Sequence, residues 1–275
     1  MQEVRPAGER QGSSLSDSEA VTTADGSRAK VDRALELLLQ LDDELHEYLD
    51  ADPIALERQT QPDGETMVIA LRVTQLPPIR LSLLVGEVTH QLRSALDHLA
   101  YALVTAAGNT PTRRTAFPVL TKRPDGGLRI DGGVTPAALA VIDSLQPYQS
   151  KTPAVHPLNV LTELWNIDKH RHLHLTALRS TNTQVFLSAP HGSAMFGGQF
   201  QANVVGDGDA IGAFRFPDGT IHPELELIAS GWNSIALGDH GPWPKGEPVQ
   251  LILEALHQYV ALNALPRLEV LVSSS

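Results

Sequence analysis

The strongest constraint on how this chain folds is a stripe of apolar residues, Leu81, Val85, Val88, Leu92, Leu96, Leu99 and Leu103, that opens after Pro77-Pro78 and closes before Gly108-Asn109. Spacings of three and four put them on one face of an α-helix, and such a face has to be buried against other elements. Proline pairs and glycines of this kind set a helix's start and stop. A second stripe, Val31, Leu35, Leu38, Leu41, Leu45 and Leu49, predicts another long helix upstream. Two long amphipathic helices close in sequence fix the first half of the chain as mainly helical.

Between them, Ile54-Ala55-Leu56-Glu57-Arg58-Gln59 and Met67-Val68-Ile69-Ala70-Leu71-Arg72-Val73 flank Gln61-Pro62-Asp63-Gly64, a pattern that predicts a β-hairpin. Residues 110–134 are rich in glycine and proline and read as a long irregular connection with one extended piece at Ala116-Phe117-Pro118-Val119-Leu120. Thr135-Pro136 supplies an N-cap and a first-turn proline for a short helix through Leu145, and Pro157 opens another through about Lys169. After it, His172-Leu173-His174-Leu175-Thr176-Ala177 alternates as a strand does. Residues 183–237 hold short runs rich in Val, Phe, Ile and Leu between glycine turns, which predicts an antiparallel meander, and Glu247 to Leu265 predicts a closing helix. The fold class is therefore α+β, with no internal repeat. Three segments follow: a disordered tail over 1–28, a mainly helical domain over 29–180, and a β-rich region with its C-terminal helix over 181–275, packed on the first.

With 275 residues and 42% hydrophobic content the chain can bury a sizeable core. Its formal charge of -11 argues against a broad basic face for duplex DNA and leaves room only for a local basic site. It has no cysteine, which removes disulfides and thiolate metal sites. No apolar run approaches the roughly 20 residues that cross a bilayer. These features together predict a cytoplasmic protein with no membrane partner.

The chemistry-bearing residues fall in two places. Arg93-Ser94-Ala95-Leu96-Asp97-His98 lies on the central helix. At about 100° per residue, Arg93 and His98 stand about 140° apart and flank the apolar stripe, so they meet only against another element or across a dimer. Arginine is a fixed cation whose planar donors fit phosphate, and histidine exchanges a proton near neutral pH, which together suit the cutting of a phosphodiester. The plainer reading makes Arg93 and Asp97, four residues apart, a surface ion pair and His98 a packing residue.

The run Leu92-Arg93-Ser94-Ala95-Leu96-Asp97-His98-Leu99-Ala100-Tyr101 resembles the Arg-x4-His motif of HEPN-domain proteins, which are helical, usually dimeric and in many cases metal-independent ribonucleases. The resemblance implies a homodimeric endoribonuclease acting on RNA in defence or stress response, with Arg93 on the scissile phosphate, His98 as acid or base, and Ser94 in the polar position after the arginine. Ser94 stands where asparagine is commoner, and Tyr101 lies three residues after the histidine instead of two. The same run, with the later Asp168-Lys169-His170-Arg171, also resembles an uncharacterised bacterial group.

Asp168, Lys169, His170 and Arg171 close a predicted helix, where the macrodipole favours the three cations. Asp168 continues the stripe of Leu161 and Trp165 and should point inward, toward Arg93, His98 or Arg171. This cluster either supports the arginine and histidine by binding phosphate or forms a structural ion-pair network. Asp97 belongs with these supporting residues. A metal site has weak support: His172 and His174, or His170 and His174, offer two imidazoles, and Glu87-x-x-His90 has a di-iron spacing with no second copy. No metal and no cofactor are assigned. His191, Asp239, His240, Trp232 and Trp243 read as loop residues, the tryptophans as candidates to line a cleft. The alternative to the enzyme is a non-catalytic ligand- or partner-binding protein in which both motifs are structural.

Overall fold

A computed structural model of the chain describes residues 23–170, 173, 175–179, 184–188, 196–199, 207–216, 226–230, 233–238 and 241–273. The fold is α+β. Helix α1 (Thr23–Asp50) and helix α2 (Ile79–Ala106) form a long antiparallel pair. Their direction is fixed by contacts at both ends: Arg80 pairs with Glu44, and the His98 ring lies against Gly26. Val31, Leu38, Leu41 and Leu45 from α1 meet Leu81, Val85, Val88, Leu92, Leu96 and Leu99 from α2 in the core. The α2 stripe is buried as expected, whereas Leu35 of the predicted α1 stripe is exposed and Ala34 and Leu37 are buried beside it in sequence.

Helix α1 begins at Thr23, earlier than the predicted boundary at residue 28. The first turns carry small residues, not large apolar ones: Ala24 and Ser27 are buried, and Gly26 admits His98 at a distance where an added Cβ would stand 3.1 Å from its Nδ1. Small residues that permit close packing leave no hydrophobic stripe to read.

The hairpin forms as predicted, with β1 (Ile54–Thr60) antiparallel to β2 (Thr66–Val73). Asp63 closes its turn by accepting from the Glu65 and Thr66 amides. Strands β3 (Leu175–Arg179), β4 (Gln184–Ser188), β5 (Phe196–Gln199), β6 (Ala210–Arg215), β7 (Glu226–Ser230) and β8 (Asn233–Leu237) make only antiparallel pairs, but their order is not that of a sequential meander. β6 joins the hairpin through β2, β3 pairs with β8, and β4 lies between β5 and β7. The β2–β6 pairing ties the β-rich region to the helical half across their predicted boundary.

Helix α3 (Pro136–Ser144) is capped by Thr135, whose side chain accepts from the Ala138 amide. Helix α4 (Pro157–His170) packs on α2. The closing helix runs beyond Leu265, as α5 (Val249–Gln258), a π-helical turn over Tyr259–Ala264, and α6 (Leu265–Ser273). Pro266 has no amide proton, and in an ordinary helix its ring would crowd the carbonyl four residues back; the wider turn directly before it lets the helix continue. Trp243 is buried in the core and donates to the Gly238 carbonyl, so it packs instead of lining a cleft. Among the described residues, no helix is long and apolar enough to cross a membrane.

His156 joins α4 to the closing helix. Its Nδ1 accepts from the Leu158 amide at 3.3 Å, which leaves the proton on Nε2 to be donated to the Tyr259 hydroxyl, 3.2 Å away. Burial holds its pKa below the ordinary histidine value. The folded state therefore favours neutral His156, and its contribution is present above about pH 6.5 and declines as pH falls toward the folded pKa. Urea unfolding of wild type and His156→Asn should show the wild type losing its advantage as pH drops below about 6.5; parallel pH profiles would remove His156 from this role.

Candidate functional site

On the side away from α1, helix α2 carries a second line of residues, Ser82, Gly86, Thr89, Arg93 and Asp97, spaced to share one face. All are small or polar, and the first four are buried. Helix α4 passes antiparallel over them. The Ser82 hydroxyl donates to the Leu173 carbonyl at 2.9 Å, just past the end of α4. One step along, Gly86 leaves room for Asp168, since a Cβ there would come within 2.3 Å of Asp168 Oδ1. Farther on, Trp165 faces Arg93, with the guanidinium carbon 5.7 Å from the ring centroid. Lys169 Nζ stands 3.7 Å from the same centroid, so Trp165 takes two cations.

Arg93 is only 7% exposed. Its Nη2 donates to the Phe117 carbonyl at 2.8 Å and lies 3.0 Å from Asp97 Oδ1. The same Asp97 oxygen accepts from the Phe117 amide at 2.9 Å. The arginine and aspartate, one helical turn apart, thus hold both polar groups of a single residue from the 110–134 connection. Arg93 Nε and Nη1 are buried and make no hydrogen bond among the described residues. Burial lowers the pKa of Arg93, and the Asp97 charge opposes that shift. The plainer expectation placed this pair on the surface; the arginine is instead inside, because the Phe117 segment and Trp165 cover it.

Gln146 repeats the arrangement further along. Its side chain is fully buried, accepts from the Leu120 amide at 3.0 Å and donates to the Pro118 carbonyl at 2.9 Å. The Leu120 carbonyl accepts from the Tyr148 amide. Residues 116–120, where an extended piece was expected, form no strand among the described residues; side chains meet the Phe117 amide and carbonyl, the Pro118 carbonyl and the Leu120 amide, and the Tyr148 amide meets the Leu120 carbonyl. Tyr148 is itself anchored on Asp143, and burial together with that carboxylate pushes its phenol up to about 12.

The other predicted residues do not gather around Arg93. His98 is exposed and faces Gly26 of α1, whereas Arg93 faces Phe117 and Trp165, so the helix sends the two in different directions. Ser94 is half-buried between them. Asp168 is half-buried against Gly86; of the three partners expected for it, Arg93 forms its ion pair with Asp97, His98 faces α1, and Arg171 lies outside the described residues. Lys169 and His170 form the basic last turn of α4. Arg171, His172, His174, His191, Trp232, Asp239 and His240 lie outside the described residues. Glu87 and His90 are both exposed, and no group of three or more metal-ligating side chains occurs among the described residues. A scan of family models, a search of curated proteins and a search of solved structures each return no match to this chain.

Sequence reasoning missed Phe117 as the object of the clamp and missed Gln146 altogether. A signal for the latter existed: a single amide between Leu145 and Pro147, in an otherwise apolar turn, has to find buried partners. Gln146→Ala would strand the Leu120 amide and the Pro118 carbonyl, and should cost about 2 to 4 kcal/mol in urea unfolding. A loss below about 0.5 kcal/mol would show that water replaces the side chain there. Gly86→Ala, which forces a Cβ into Asp168, should cost about 1 to 3 kcal/mol through overpacking, read as a lowered melting temperature.

Proposed function

We propose that this chain is a non-catalytic partner-binding protein in which Arg93, Asp97 and the α4 cluster serve as architecture. The observation that supports this reading is the commitment of Arg93: its charge is buried, paired with Asp97 and bonded to the Phe117 backbone. A phosphate-binding arginine needs donors that a substrate can reach. Releasing Arg93 to a phosphate would leave the Phe117 carbonyl without its donor and the Asp97 carboxylate without its cation, at the cost that attaches to an unpaired buried polar group. His98, on another side of the helix, lacks the arginine as a neighbour.

A HEPN-like, metal-independent endoribonuclease is the second reading, and one observation favours it. Ser94 and His98 lie on a strip of α2 that also exposes Ile79, Leu83, Glu87, His90 and Tyr101, so a two-fold axis across this strip would bring Ser94 and His98 of two copies together. RNA would then be the substrate and a homodimer the working unit.

RNA cleavage in EDTA by wild type, Arg93→Ala and His98→Ala, with urea unfolding of each, separates the two readings. The binding reading expects no cleavage by the wild type, a loss of about 2 to 4 kcal/mol for Arg93→Ala and a change within about 0.5 kcal/mol for His98→Ala. Cleavage by the wild type that disappears in a fully folded His98→Ala would establish the ribonuclease instead.

A further inference from the structure

The chain is acidic, yet one segment of it is basic. Residues 110–134 carry Arg113, Arg114, Lys122, Arg123 and Arg129 against Asp125 and Asp131. Elsewhere among the described residues six arginines pair with a carboxylate: Arg28 with Glu269, Arg33 with Glu36, Arg72 with Asp207, Arg80 with Glu44, Arg93 with Asp97 and Arg215 with Glu65. Arg113, Arg114 and Arg129 are exposed and make no ion pair among the described residues.

They are also held in place. A tight turn, closed by the Thr115 amide on the Thr112 carbonyl, puts Arg113 and Arg114 at its tip. Thr112 and Thr115 bond through their hydroxyls to the Asp131 carboxylate and carbonyl, and Asn109 donates to the Gly133 carbonyl. Arg129 projects outward between two buried anchors, Leu128 and Ile130. Gly132, at φ +94°, lets the segment press against Val104, where a Cβ would stand 2.9 Å from the valine methyl. The knot therefore sits at the C-terminal end of α2, with its arginines presented on a fixed backbone, which lowers the ordering cost of a contact.

The matching charge lies at the other end of the same helix pair. Asp43, Glu47, Asp50 and Asp52, at the C-terminal end of α1, are exposed and make no ion pair among the described residues. The Glu44–Arg80 pair places that end beside the start of α2. At 1.5 Å per residue, the two patches are separated by on the order of 35 Å, several screening lengths at physiological salt. They cannot meet within one chain. They can meet between two.

We infer that the Arg113–Arg114–Arg129 knot docks the acidic end of α1 on a second copy of this chain, giving a head-to-tail contact. The inference deepens the binding reading by naming a partner, and rests on it for the premise that the chain works through contacts. A contact between two different patches leaves one of each free at the ends, so it builds open chains or closes into rings. The field that guides it is electrostatic, and it weakens as salt rises. A nucleic-acid backbone suits the knot less well: no exposed aromatic side chain accompanies these arginines within 110–134, and the acidic remainder of the surface repels a long polyanion.

Sedimentation velocity of the full chain at about 0.01 M and about 1 M ionic strength tests this, with the doubly substituted Arg113→Glu, Arg114→Glu and Asp43→Lys, Glu47→Lys variants alongside. All four positions are exposed, so the variants should fold. The wild type should associate at low salt and dissociate at high salt. Each variant should weaken association at least about tenfold, and an equimolar mixture of the two should restore it, because each altered patch then finds its complement. A wild type that stays a single species at both salts overturns the inference, as does association that survives both reversals. If the wild type remains a single species yet retains a labelled single-stranded RNA that the Arg113/Arg114 variant releases, the knot is a phosphate site and the inference also fails. Assaying the same samples for RNA cleavage in EDTA keeps the outcomes apart: cleavage overturns the binding reading, and only the sedimentation result decides the contact.

Discussion

The anchoring of residues 117–120, with Phe117 buried and Pro118 to Leu120 half-buried, is the constraint on which the helical half depends. An irregular segment that packs against helices without a strand beside it takes backbone amides and carbonyls out of water, and each of those has to be met by something else. In this chain Arg93 and Asp97 meet Phe117, Gln146 meets Pro118 and Leu120, and the Tyr148 amide meets the Leu120 carbonyl. Those bonds tie together the middle of α2, the end of α3 and the turn leading to α4. With the fully buried Phe117 ring seated in the core, the irregular connection becomes part of the fold's framework instead of a cover over it.

The same constraint explains why α2 has two faces of different character. Its α1 side is a leucine and valine stripe that any apolar partner satisfies. Its α4 side works through matched polar groups and close approach: Ser82 bonds the Leu173 carbonyl, Gly86 admits Asp168, Thr89 bonds the Gly86 carbonyl of its own helix, Arg93 meets Trp165 and the Phe117 carbonyl, and Asp97 accepts from the Phe117 amide. Apolar burial supplies most of the driving force, but it is tolerant of sliding along the helix. The Ser82 bond just past the end of α4, the fit of Asp168 against Gly86 and the Arg93 guanidinium near the Trp165 ring fix how far α4 can slide. The polar line sets register where the apolar stripe sets affinity.

What could be read from the sequence follows from this division. Periodic apolar residues announce α1, α2 and their pairing, Pro-Asp-Gly announces the β1–β2 turn, and Thr135-Pro136 announces α3, because each signal is local. The pairing of β2 with β6 joins residues far apart in the chain, and no spacing rule reports it. The onset of α1 was hidden by Gly26 and Ser27, which pack through smallness, and the length of the closing helix was hidden by Pro266, whose tolerance depends on the π-helical turn before it. The burial of Arg93 was hidden for a stronger reason. Its angle on the helix is that of a flanking residue, equally consistent with solvent or interior. What moves it inside is the backbone of Phe117, arriving from 24 residues later and recognisable by no property of the Phe117 side chain.

That last point bears on how an arginine and a histidine five residues apart should be weighed. Spacing on a helix fixes only the angle between side chains. Whether the pair can act together depends on what covers each one, and here the covers differ: α4 and the Phe117 segment lie over Arg93, while His98 stays open beside α1. Asp97, between them in sequence, is the residue that reveals the distinction. A carboxylate one turn after the arginine competes with any phosphate for the guanidinium, and when its same oxygen also accepts a backbone amide it is held where that competition is strongest. In a chain where the arginine had to remain available to an anionic substrate, a carboxylate at that position would oppose the chemistry. In this one it completes a clamp on a peptide group, and the arginine, the aspartate and the phenylalanine backbone are best understood as a single structural unit.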